Sequence, residues 1–185
     1  MGYTHYFPQK RDFTMPEWKV IVSDMRALLN KLPEEPATII CGGMGTGEPE
    51  ITDEQIVLNG DGAADLDHET FLLTRIDAGE TKGFRYCKTA YKPYDILVCG
   101  ILMLCEFHAP GALEISSDGD ARDWLPAVDW VNAVLGTSLW MPSGIAGAGK
   151  AKSEREAQIN ITAFHKLRDG VLKKHADPLP QGWLH

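Results

Sequence analysis

The chain has 185 residues, enough for one domain with a real core, and its composition, 44% hydrophobic and 24% charged, is that of a globular protein. A net charge of −8 argues against wrapping an extended nucleic acid through its phosphates. The longest apolar run, Ile96 to Cys105, is too short to span a bilayer, and the polar, aromatic opening MGYTHYFPQK does not read as a secretion signal. The expectation is a cytoplasmic, reduced protein that engages no membrane. Cys41, Cys87, Cys99 and Cys105 form no C-x-x-C pair, which argues against a zinc ribbon, and Cys99 and Cys105 read as core packing.

In chain order, GYTHYFP suggests a short strand ended by Pro8. Within it Tyr3, His5 and Phe7 share one face, and Thr4 and Tyr6 the other. Thr14-Met15-Pro16-Glu17 spells a capping box, and the apolar stripe from Trp18 to Leu32 predicts a helix over 15–32. ATIIC at 37–41 reads as a buried strand running into a glycine turn. Further strands are expected at 54–59, 69–75 and 84–90, and their short connections suggest an antiparallel meander. Pro93 opens a helix over 94–107 that is apolar on nearly all sides and therefore central. A fifth strand at 112–117 precedes a second amphipathic helix from about Trp124 to Leu135, ended by Gly136. Residues 137–153 read as a glycine-rich loop. A capping box at Ser153 starts a long helix with Ala157, Ile161, Phe164, Leu167, Val171 and Leu172 along one stripe. The pattern predicts a single α+β domain over 1–176, mainly an antiparallel sheet of about five strands with three to four helices packed on it, and an irregular tail over 177–185.

Two glycine motifs invite a nucleotide reading and fit it poorly. Gly144 to Lys150 has the spacing G-x-x-x-x-G-K, but Ala151 stands where the magnesium-binding Ser or Thr belongs, and Pro142 spoils the preceding strand. Gly43-Met44-Gly45-Thr46-Gly47 follows a strand, but Glu48-Pro49-Glu50 starts no helix, so a turn is the better reading.

Lys88-Thr89-Ala90-Tyr91-Lys92-Pro93-Tyr94-Asp95 places two lysines at a strand-to-helix junction. The free amides and partial positive charge of a helix start suit a phosphate or carboxylate there, while Asp95 capping its own first turn is the structural alternative. Ser116-Ser117-Asp118-Gly119-Asp120 reads first as a turn capping the next helix. Asn59 and Glu69 fall near one end of the sheet, facing each other. His108 and His165 have no partner at a useful spacing, and no cofactor or metal is expected from ligand spacing.

The motifs MGYTHYF, IVLNGDG, ETFLLTR, FRYCKTAYKPYD and ISSDGDARDW together resemble a family of bacteriophage and bacterial proteins that open MGYTHYW or MGYTHYF and carry CKTxxKPYD and SSDGD in that order. The similarity spans roughly residues 1–136. Phe7 stands where Trp is common, and Tyr91 where a basic residue is often seen. The family has no assigned chemistry. By analogy the resemblance implies a phage-type accessory protein, of which one class sequesters nucleotide-derived immune signals of the host.

The first functional expectation is therefore a protein binding a small phosphate-bearing, nucleotide-like ligand. Lys88 and Lys92 would meet the anion, Tyr3, His5 or Tyr94 would stack or hydrogen-bond, and Asn59, Glu69 and Asp118 would read hydroxyl or base edges. The alternative is a hydrolase or group-transfer enzyme with His5 as the catalytic base and Glu69 or Asp118 as its partner or as a metal ligand. A third is a protein-interaction module anchored by exposed Trp140 and Trp183. A homo-oligomer is compatible with any of them.

Overall fold

Thr14 decides where the first helix begins. Its side chain accepts the Glu17 amide while the Glu17 carboxylate takes the Thr14 amide, and Pro16 fits the first turn, so α1 runs Met15–Leu29. The buried face of α1 is Trp18, Ile21, Met25 and Leu28. Arg11 forks onto both oxygens of Glu17 at 3.0 and 2.9 Å. That ion pair, with the Thr14 bonds, draws the Glu17 carboxyl down to about 2. A depressed carboxyl stabilises the fold above its unfolded value and loses that contribution as pH falls through its folded value. Wild-type protein should therefore melt higher than Glu17→Gln at neutral pH. The gap should narrow below the ordinary carboxylate range and close near pH 2, as read by melting curves across pH.

The computed structural model describes residues 2–34, 39–77 and 85–175. It is an α+β fold with two small antiparallel sheets rather than one meander. One sheet is the expected local meander: β2 (Glu50–Ile51), β3 (Gln55–Leu58) and β4 (Phe71–Thr74), with Leu58 opposite Phe71. The other is non-local. β1 (Thr4–Tyr6) lies between β5 (Tyr86–Lys88) and β6 (Ser116–Ser117), with His5 opposite both Cys87 and Ser117. The stretch expected as a strand at 37–41 makes only an isolated bridge from Cys41 to Asn59, and its residues 37 and 38 lie outside the described residues.

α2 (Asp95–His108) is central, as its apolar run requires, with nine consecutive residues buried from Leu97 to Cys105. Gly100 is the contact point of three helices. A Cβ there would sit 3.2–3.3 Å from Leu28 on α1 and from Trp130 and Val131 on α3. α3 (Ala121–Leu135) starts earlier than its apolar stripe suggests, because Asp120 caps it in a box with Asp123. It ends at Gly136 in the left-handed conformation.

Residues Met1–Ala148 form one compact unit and Gly149–His185 a second. The second is built on α4 (Ala148–His175), which begins at Ala148 rather than Ser153 and so absorbs the end of the glycine-rich stretch. Ile159, Ile161, Phe164 and Leu167 of α4 are exposed, while the side chains at 171 and 172 and the tail from 177 lie outside what is described. Among the described residues no helix is long and apolar enough to cross a membrane.

Candidate functional site

Strand alternation places Tyr3, His5 and Phe7 on the buried face of β1, each at most 1% exposed. His5 thereby faces the start of α2. Asp95 and Cys99 are one turn apart on α2, so both side chains lie on the face that meets His5. His5 Nε2 lies in hydrogen-bond contact with Asp95 Oδ1 at 2.8 Å. The same nitrogen is 3.7 Å from Cys99 Sγ, and the Cys99 thiol points at Asp95 Oδ2 from 3.8 Å. The Thr89 hydroxyl adds a further donor to Asp95 Oδ1. His5 is fully buried, but the Asp95 side chain is 17% exposed, so the carboxylate is where this cluster meets solvent.

Asp95 does not cap its own helix. The α2 cap position, Tyr94, has no side-chain cap bond, and the Asp95 carboxylate turns instead to His5 and Thr89. A tight turn holds that arrangement. The Lys92 amide bonds the Thr89 carbonyl and the Ala90 amide bonds the Tyr3 carbonyl, which ties the turn to β1. Ala90 and Tyr91 both take positive φ, 50° and 60°. Neither is glycine, so each costs about 1–2 kcal/mol that the surrounding contacts must offset. The turn presents the Tyr91 ring, 60% exposed, stacked on buried Tyr3 with centroids 3.9 Å apart.

The remaining wall is aromatic and acidic. Tyr3 and Trp124 make T-shaped contacts with the His5 ring at 4.9 and 5.2 Å. Asp118 accepts the Tyr6 hydroxyl at 3.2 Å. Gly119 must lack a side chain, since a Cβ would lie 2.4 Å from Tyr3 Cε2. Two buried polar atoms here, His5 Nδ1 and Trp124 Nε1, make no hydrogen bond. Orphaned groups of this kind are uncommon in a native interior. Burial first, then the charge of Asp95 and its bond to the sulfur, pushes the Cys99 thiol well above its ordinary value. On its own Cys99 is thus a protonated thiol and not a nucleophile. The Tyr3 hydroxyl is raised in the same way, chiefly by burial.

The sequence candidates divide between this centre and the framework. Tyr3 and His5 belong to the centre, and Asp118 stands beside it. Asn59 is used by its own loop: its amide nitrogen bonds the Gly43 and His68 carbonyls and its oxygen takes the Gly60 and His68 amides. Glu69 accepts the Lys88 amide at 2.7 Å, and buried Tyr94 donates to the Glu69 carbonyl at 2.8 Å. The Lys92 ammonium bonds the Asp65 carbonyl. The extended stem of Lys88 runs against Gly2. The acidic partner of His5 is Asp95, and neither Glu69 nor Asp118 pairs with it.

Gly144 of the P-loop-like stretch packs on backbone, since a Cβ would lie 2.1 Å from the Ile115 carbonyl oxygen. Trp140 is half-buried, with its indole bonded to the Ala148 carbonyl, rather than an exposed anchor, and Trp183 lies outside the described residues. The residues that sequence reasoning passed over are Asp95 as the partner of His5, Cys99 and Trp124. The available signal was the Asp95–Cys99 spacing on one helix face. Comparison with known proteins adds no relative: no family model, no curated protein and no solved structure matches the chain.

Proposed function

We propose that this protein is a hydrolase or group-transfer enzyme acting on a small phosphate-bearing, nucleotide-like molecule, with Asp95 and His5 as its acid–base pair. The observation that carries the reading is the short His5–Asp95 contact, fully buried at the histidine and open to solvent at the carboxylate. The carboxylate meets solvent on one side and the buried His5 imidazole on the other, the arrangement of a carboxylate–histidine pair that can relay a proton. In the hydrolytic case Asp95 Oδ2 takes a proton from water, and the hydroxide oxygen bonds to phosphorus. The ester P–O bond breaks, and the leaving oxygen receives that proton back. His5 stabilises the intermediate charge from behind. The exposed face of Tyr91, already stacked on Tyr3, offers a flat surface for a base.

That aromatic platform also supports a second reading, a protein that binds such a ligand and holds it unchanged. One experiment separates the two. Full-length protein is incubated with a panel of nucleotides and simple phosphate esters, and bound and free species are identified by mass spectrometry. Conversion by wild type that is lost in His5→Gln supports the enzyme. Tight retention of an unaltered nucleotide supports the binding protein. Neither conversion nor retention of any member sinks both.

A further inference from the structure

We propose that His5 Nε2, an Asp95 carboxylate oxygen and Cys99 Sγ form a binding site for one zinc-class divalent transition-metal ion. The inference deepens the reading above, since it names an ion for the same centre, and with the ion bound its positive charge replaces the His5–Asp95 hydrogen bond in activating water; it stands on its own geometry. Among the described residues these three are the one group of at least three His, Cys, Asp or Glu side chains whose ligand atoms all lie within 4.8 Å of one another. The sulfur stands 3.7 Å from the nitrogen and 3.8 Å from Asp95 Oδ2. Metal bonds of about 2.0–2.3 Å in tetrahedral geometry need ligand–ligand edges of roughly 3.4–3.6 Å, so the sulfur is already nearly in place. Only the 2.8 Å His5–Asp95 contact must open, by roughly half an ångström, or the carboxylate must turn to present its other oxygen.

The donor set decides the class of ion. One imidazole, one thiol and one carboxylate suit a borderline ion such as zinc or cobalt. Magnesium and calcium take oxygen ligands, and the cluster offers one carboxylate and a sulfur. Three protein ligands leave a fourth position for water or substrate, and the Asp95 side chain, 17% exposed, is where the cluster meets solvent. An ion there would also supply positive charge near Tyr91, on which the charges of Asp123, Asp120 and Asp118 all act. Metal entry balances as follows. The Cys99 thiol loses its proton to solvent and binds as thiolate. The Nε2 proton of His5 moves to Nδ1, leaving Nε2 free to ligate. Net release is roughly one proton per ion.

Cobalt(II) is the probe. Full-length protein, freed of metal by chelation and desalting, is titrated with cobalt chloride and followed by absorption. The proposal expects saturation near one ion per chain, visible bands of tetrahedral strength and a thiolate-to-cobalt charge-transfer band. In Cys99→Ala the charge-transfer band should vanish, and in Asp95→Asn cobalt affinity should fall by at least about 10-fold. Folded wild-type protein without the band, or a Cys99→Ala variant that keeps it, overturns the proposal. The wild-type titration alone suffices to refute it if a variant fails to fold. A missing band leaves the Asp95–His5 acid–base reading untouched, whereas a band without turnover of any phosphate ester establishes the ion and sinks the enzyme. The two ideas therefore fail separately.

Discussion

Replacing Asp95 by Asn should lower turnover by about 10²–10⁴-fold while leaving the protein folded. The substitution keeps size and shape. Its remaining carbonyl oxygen can still accept from His5 and from the Thr89 hydroxyl, the two donors now on Oδ1. What it removes is the negative charge and the capacity to take a proton. The amide NH2 also points a donor where the Cys99 thiol now points its own. Stability should drop by only about 1 kcal/mol, the net value of a typical hydrogen bond. Asp95→Ala is a different experiment. It leaves His5 Nε2 with only the weak Cys99 sulfur contact and takes the carboxylate from the hydroxyl of fully buried Thr89, each loss costing about 1–3 kcal/mol. Steady-state rates and denaturant melts on both variants separate the chemical role from the structural one. Equal rates for wild type and Asp95→Asn would remove Asp95 from the chemistry.

Gly60→Ala should be among the most damaging single-methyl additions in the chain. A Cβ at this position would lie 2.0 Å from the Leu66 carbonyl oxygen, 2.8 Å from its carbon and 3.0 Å from Tyr94 Cδ1. The obstacle is backbone and cannot rotate away. The surrounding turn is also fixed, by Leu66 N–H to the Asp61 carbonyl, by Asp61 capping Ala63, and by the four bonds of Asn59. Relief therefore means moving the 60–66 turn as a piece. Overpacking of this severity costs about 3 kcal/mol or more. In a unit of this size that lowers the melting temperature by about 6–12 °C. A thermal melt within about 2 °C of wild type would show that the turn yields more easily than its bonds imply.

The elements legible in the sequence are those that local chemistry decides. Thr14 and Glu17 announce α1, the unbroken apolar run announces α2 as central, and alternation puts Tyr3, His5 and Phe7 on one face. The β3–β4 pairing follows from two apolar strands joined by a turn. The second sheet was not legible, because β1 pairs with strands some 80 and 110 residues away and nothing local encodes that register. The His5–Asp95 contact spans 90 residues and depends on that register. Asp95 was visible as chemistry, but the local alternative, capping its own turn, was equally consistent with the pattern. Cys99 reads as core because it is core, and only the proximity of His5 gives it a second use. The start of α4 was missed because Gly144, Gly147 and Gly149 suggest a loop. In the fold Gly147 holds φ 80° just before the helix, and Gly149 is already inside it. The apolar stripe of α4 was legible, but periodicity does not reveal what covers it, and Ile161, Phe164 and Leu167 are exposed.

The most direct measurement is a ligand titration followed at the site. Protein carrying ¹⁵N in its histidine and tryptophan side chains is titrated with adenosine monophosphate, in the presence and absence of zinc chloride. Ring resonances of His5 and the Trp124 indole signal are followed by NMR. A functional centre at Asp95 predicts that both move, saturably, and that Asp95→Asn abolishes the response. Silence at His5 and Trp124 would contradict that assignment. So would saturable shifts confined to labelled rings outside the centre, such as those of His68 and Trp18.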